Sequence, residues 1–168
     1  MGPILQYPLR FKERERERER ERERMTSCTS IEYLLKCNPS FLGCFHVKSL
    51  STVAAVEKFP ASLIVYSERH WMGVMFINKS LCLYFDSFGE KVQDSELVDY
   101  LSAASYTYVM YNSVQIQHDS SDKCGLFCVL FIKLVHSLVS FTRFLQLFNR
   151  NNLVYNDWLI DEINVALL

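Results

Sequence analysis

ASLIVYSERHWMGVMFINKSLCLYFDSFG, residues 61–89, reads as three strands in succession. ASLIVY (61–66) is short, apolar and rich in β-branched residues, which suits a pleated surface. WMGVMFI (71–77) and LCLYF (81–85) are separated only by Asn78-Lys79-Ser80, a link of hairpin length. Asp86-Ser87-Phe88-Gly89 is a turn sequence that ends the third run. Working outward, residues 94–104 predict a helix with Leu97, Val98 and Leu101 facing in, and YTYVMYNSVQI (106–116) predicts a further strand. Residues 122–139 predict a buried helix, and 140–149 continue as another. NDWLIDEINVALL predicts a last helix capped by Asn156. Upstream, TSCTSIEYLLKC predicts a short helix capped by Thr29 or Ser30, with Ile31, Leu34 and Leu35 on one face. Residues 39–60, between Pro39 and Pro60, read as irregular. Helices at both ends of a run of strands predict an α+β domain with a central mixed, mostly antiparallel sheet flanked by helices.

The chain has 168 residues, enough for one domain with one good core. A 49% hydrophobic and 14% aromatic composition argues against disorder outside local segments. One such segment is ERERERERERER (13–24), which offers nothing apolar to dock. An in-frame GA dinucleotide repeat encodes the same pattern, so residues 1–24 are expected to be a non-functional extension and Met25 the working start. Setting them aside removes eight basic and six acidic residues, leaving a body (25–168) more acidic than the whole chain's net charge of −1. That body offers no basic stripe for nucleic acid. The apolar run after Cys124 stops at Lys133 and is broken again by His136 and Arg143, which argues against a membrane span. No charged-then-apolar-then-small pattern marks a secretory signal, so an intracellular protein is expected. The six cysteines (28, 37, 44, 82, 124, 128) are then expected to be free and mostly buried. Cys124 and Cys128 are spaced CxxxC and Cys37 and Cys44 lie farther apart, so no compact zinc spacing occurs.

SSDKCGLFCVLFI (120–132) places Cys124 at the step from a polar loop to an apolar helix. Asp122, Ser121 or Ser120 is in place to cap that helix, and Gly125 lets another backbone approach. A thiol at a helix start faces unpaired N–H groups and the positive end of the dipole, an environment that supports a nucleophilic sulfur and a developing oxyanion. Cys128, one turn on, reads as core. A nucleophilic cysteine needs a base and a group to orient it. Of the four histidines, His70 ends the tight loop SERH and starts a strand, whereas His46, His118 and His136 lie in irregular chain, in a loop and on an apolar helix. Asp86 ends the next strand, so an antiparallel hairpin returns it to the end of the sheet that carries His70. Asp86 also reads simply as a turn former. Gln117, seven residues before Cys124, is a candidate oxyanion donor, and Gln115, two positions earlier on the same side of a strand, competes with it.

HW (70–71), FDSFG (85–89) and Q-x6-CGLFC (117–128) together resemble the adenovirus-type maturation proteases and the wider group of ubiquitin-like-protein proteases, including members from DNA transposons. The resemblance covers residues 60–133 and, more loosely, 25–168. It implies an adenain-like fold and a cysteine endopeptidase whose triad is His70, Asp86 and Cys124, with Gln117 and the Cys124 N–H lining the oxyanion hole and Trp71 packed beside the base. It implies a polypeptide substrate of the viral or transposon structural kind and a nuclear or virion-like location. The acyl-transfer chemistry requires no metal or organic cofactor, and extended substrates commonly bind along strands, so a cleft beside residues 61–77 is expected. The adenovirus enzymes use a glutamate where this chain has Asp86, as ubiquitin-like-protein proteases do. They are stimulated by DNA and by a disulfide-linked peptide; the acidic body and the lack of a cysteine over 92–116 support neither here. Three other readings use the same residues: an isopeptidase for ubiquitin-like proteins, an acetyltransferase, and an inactive relic or interaction domain.

Overall fold

The computed structural model describes residues 27–163 apart from Arg69 and Ser105. The Glu-Arg extension and the end of the last predicted helix lie outside them. Helix α1 (Cys28–Leu35) leads into strand β1 (Phe41–His46) and a 3-10 helix (Val47–Thr52). Strands β2 (Ala61–Ser67), β3 (His70–Phe76) and β4 (Leu81–Phe85) follow, then α2 (Ser95–Ala103) and β5 (Tyr108–Tyr111). Helices α3 (Cys124–His136), α4 (Phe141–Leu145) and α5 (Leu153–Glu162) complete the α+β domain.

The five strands lie in sequence order, β1-β2-β3-β4-β5. The β2–β3 and β3–β4 pairs are antiparallel hairpins, as the residue 61–89 pattern predicts. The outer pairs, β1–β2 and β4–β5, are parallel, so the sheet is mixed in equal parts rather than mostly antiparallel. A parallel neighbour needs a crossover, which the 3-10 helix and α2 supply. Both pack on one face, where Val47, Leu50, Leu97 and Leu101 meet Leu63, Val65, Val74, Phe76 and Tyr84. The other face carries Ile64, Trp71, Met75, Leu83 and Phe85 against the remaining helices. Burial on both faces explains why β2 to β4 are continuous apolar runs.

Helix α3 is the centre of that second face, buried without interruption from Cys124 to Ile132. Phe131 stacks on Phe85 with ring centroids 5.1 Å apart, and Phe144 meets Phe85 edge-on at 5.2 Å. A Cβ on Gly73 would lie 2.8 Å from the Phe131 ring, so the glycine in β3 is a notch that admits this aromatic cluster.

Several local readings change. Residues 41–52 are ordered, not irregular; the strand signal in β1 is broken by Gly43 at φ +134° and a register shift between Phe41 and Cys44. Ser27, rather than Thr29 or Ser30, caps α1, accepting a hydrogen bond from Ser30 N. In α2, Leu97 and Leu101 are buried but Val98 is exposed, because the helix rests on the sheet through one narrow stripe. The strand predicted over 106–116 stops at Tyr111, and residues 112–117 form a loop. Asn156 sits inside α5, where Asn152 is the cap; its buried amide instead donates to Ile116 O and Asn149 O, both at 2.9 Å. Among the described residues no helix is long and apolar enough to cross a membrane.

Candidate active site

The β2–β3 hairpin turns in two residues, Ser67 pairing with His70, so the imidazole starts β3 at the sheet's rim. Glu68 takes the left-handed backbone (φ 47°) that such tight hairpin turns demand. Asp86 follows the last residue of β4 and returns to the same rim. His70 Nε2 and Asp86 Oδ1 are 2.9 Å apart. Asp86 also forms the turn that its sequence suggests, since Gly89 N donates to Asp86 O at 2.9 Å. Its carboxylate is nearly buried and is held by further donors, Phe88 N to Oδ1 at 2.7 Å and Tyr84 O–H to Oδ2 at 3.4 Å. Phe88 then stacks its ring on His70, centroids 4.9 Å apart.

Cys124 opens α3 beside them. The expected side-chain cap is not there: Lys123 occupies the cap position and contributes no side-chain bond to the helix start. Its ammonium instead reaches α5, pairing with Asp161 and donating to Asp157 O at 3.0 Å. The first turn of α3 therefore presents its N–H groups without a capping oxygen, while Cys124 itself is buried. A Cβ on Gly125 would meet Ile31 at 3.0 Å and Trp71 at 3.3 Å, so glycine lets α1 and β3 close on the helix start. Cys128, one turn further, is core: its thiol donates to Trp71 O at 3.4 Å, and burial pushes its pKa well up.

Burial alone would lower the His70 pKa, but the bond to Asp86 and the neighbouring Cys124 outweigh it and push the imidazole up to about 9. The other ring nitrogen, Nδ1, is buried and completes no hydrogen bond of good geometry. Cys124 is thus among the neighbours that favour the charged ring, and Nδ1 is the ring nitrogen that Asp86 does not engage.

Gln117 is fully buried and its amide is oriented from both ends. Ser87 Oγ donates to its Oε1 at 2.6 Å, and its Nε2 donates to Ser121 O at 2.7 Å, which leaves one N–H uncommitted. Gln115, its competitor in the sequence, is engaged by Gln117 O and Asp119 instead. A cleft of about 550 Å³ is lined by Cys124, His70, Gln117, Trp71 and Phe88, with Tyr66, Glu68 and Ser27 among the flanking residues. His46, His118 and His136 lie outside it, bonded to Lys48 N, Ser120 and Ser40. A larger apolar groove of about 790 Å³ lies on the opposite face of the sheet between the 3-10 helix and α2.

Sequence reasoning missed the residues that hold these groups in place. Buried Asn112 accepts from Asp86 N at 3.0 Å and donates back to Asp86 O, clamping the peptide that carries the carboxylate. Ser87 O accepts both Ile116 N and Gln117 N, stitching the loop that follows β5 to the turn after β4. No local pattern announces either contact. The thiols also differ from expectation: Cys82, Cys124 and Cys128 are buried, but Cys28 and Cys37 are exposed and Cys44 is half-buried.

No protein-family model matches the chain, and no curated protein is similar enough to count as a relative. Among solved structures, the chain is similar to the ASFV pS273R protease at 14% identity and a TM-score of 0.43, over 56% of this chain and 42% of that one. It is also similar to the central domain of the uncharacterized Lpg1148 protein from Legionella pneumophila, at 19% identity and a TM-score of 0.44, over 76% of this chain and 82% of that one. The chain thus spans less than half the length of the first. Likenesses this distant leave the chemistry to be argued from the residues themselves.

Proposed function

We propose that the chain is a cysteine endopeptidase. The observation that carries this reading is the 2.9 Å bond between His70 and Asp86 in the cleft that Cys124 and Gln117 also line. His70 Nδ1 takes the proton of the Cys124 thiol, and Asp86 holds the imidazolium through Nε2. The thiolate attacks a peptide carbonyl carbon, forming a C–S bond and an oxyanion that meets the free Gln117 N–H and the first N–H groups of α3. Collapse breaks the C–N bond, and the imidazolium passes its proton to the leaving amine. Water, deprotonated by His70, then attacks the thioester and regenerates the thiol.

Tyr66 and Trp71, tilted against each other at 4.6 Å, give the cleft an aromatic wall beside β2 and β3 suited to an extended chain. The family resemblance extends the reading to structural proteins of the viral or transposon kind as substrates. The test is an electrophilic peptide probe together with a peptide-library cleavage assay that includes substrates ending in Gly-Gly. The wild type is expected to be labelled and to cleave, and Cys124→Ala and His70→Ala to do neither. Equal labelling of Cys124→Ala would overturn the assignment, and selective cleavage after Gly-Gly would shift it to isopeptidase chemistry.

A further inference from the structure

The geometry points to a second site, away from the triad: Cys28, Glu32 and Cys44 form a binding site for a thiophilic divalent cation of the zinc class. Cys28 and Glu32 are one turn apart on α1 and so share a face, the spacing by which a helix offers two ligands to one ion. Cys44 comes from β1, which is not contiguous with the helix. The irregularity at Gly43 brings it there: Cys44 N lies 3.5 Å from Glu32 Oε1, and its thiol lies 3.9 Å from Cys28 O. The two sulfurs and a carboxylate oxygen all fall within 4.8 Å of one another. A tetrahedral ion at about 2.3 Å from sulfur spaces its donors by roughly 3.8 Å. Closing that difference takes only side-chain torsions, since Cys28 and Glu32 are exposed.

Two thiolates and a carboxylate favour zinc or cadmium over calcium or magnesium, which take oxygen ligands. Three protein ligands leave the fourth position to water. The site bears on the cleft through α1: Ser27, the residue before Cys28, caps this helix and lines the cleft, and Ile31 packs where Gly125 opens α3. An ion joining α1 to β1 would therefore fix the wall beside Cys124.

The cleft's own thiol and imidazole also attract soft metals, so the test uses the full chain, reduced, carrying Cys124→Ala and His70→Ala. Binding is then independent of the protease reading. Cadmium is titrated by its thiolate charge-transfer absorption, and zinc by competition with a chromogenic chelator. One ion per chain is expected, with a raised thermal midpoint. Cys28→Ser or Cys44→Ser should weaken binding at least tenfold and erase the absorption. Glu32→Gln, at an exposed position, should weaken it several-fold, and Cys37→Ser should change nothing. Three outcomes would overturn the proposal: no uptake, uptake unaffected by Cys28→Ser and Cys44→Ser, or a Cys28–Cys44 disulfide in oxidised protein whose reduced form takes up no metal.

Discussion

The β3–β4 hairpin has two polar ends that satisfy their hydrogen bonds in opposite ways. At the connecting turn, Asn78 Oδ1 accepts from Ser80 N at 2.8 Å and Leu81 N at 2.9 Å, so its side chain bonds within its own turn, and a backbone bond from Tyr108 N to Ser80 O ties that turn to β5. At the open end, Asp86 and Ser87 reach His70, Asn112 and Gln117, which are 16, 26 and 30 residues away along the chain. The Asn78 side-chain bonds need only their own turn to form. The open end exists only once the sheet, the loop after β5 and α3 have assembled around it. Side chains held by such distant partners are preorganised, and preorganised donors and acceptors are what electrostatic catalysis requires.

The contrast is broken most severely at the sulfur. Cys124→Ala should lower peptide turnover by about 10⁴-fold or more while leaving the melting temperature nearly unchanged, because a nucleophile has no substitute in a unit that acts together. Asp86→Asn should cost up to about 10⁴-fold in kcat, as the imidazole loses its orienting acceptor. It should also move the pH profile. His70 is raised from 6.5 to about 9, so its bonded imidazolium is fully present below the lower value and is lost as pH rises through the upper one. Without the carboxylate, burial dominates and the alkaline limb of kcat/KM should fall to lower pH. An unmoved limb in Asp86→Asn would count against the His70–Asp86 pairing as its origin.

Gln117→Ala should reduce kcat by about 10²–10³-fold with little change in KM, which stopped-flow and steady-state rates together resolve. Asn112→Ala leaves the buried backbone of Asp86 without its clamp and should cost about 1–3 kcal/mol in denaturant melts, with a smaller loss of kcat. Asn78→Ala, at the connecting turn, should cost about 0.5–1.5 kcal/mol and leave kcat/KM unaltered. A comparable loss of activity in Asn78→Ala and Asn112→Ala would erase the distinction between the two ends.

The same difference governs what the sequence could reveal. The hairpins were legible because unbroken apolar runs and short turn sequences are local signals. Cys124 was legible because a polar loop gives way to an apolar helix within one residue. No local signal separates Gln117 from Gln115, because the contact that orients the Gln117 amide comes from Ser87, thirty positions earlier. Strand β1 was hidden by Gly43, whose backbone breaks the strand pattern. Asn112 was hidden because an asparagine that clamps a distant peptide looks, in sequence, like any loop asparagine. The cap of α3 was misread because a run of serine and aspartate is a good local cap, whereas here Lys123 holds that position and is anchored to α5.

The notch at Gly73 has a consequence beyond core packing. His70 lies three residues before it on β3, and Cys124 lies two helical turns before Phe131, the ring that fills it. Strand and helix therefore touch at a fixed fulcrum, with imidazole and sulfur at the ends of two short rigid arms. A single added methyl at position 73 would act as a shim, spreading those arms at their tips and detuning the proton transfer proposed between them.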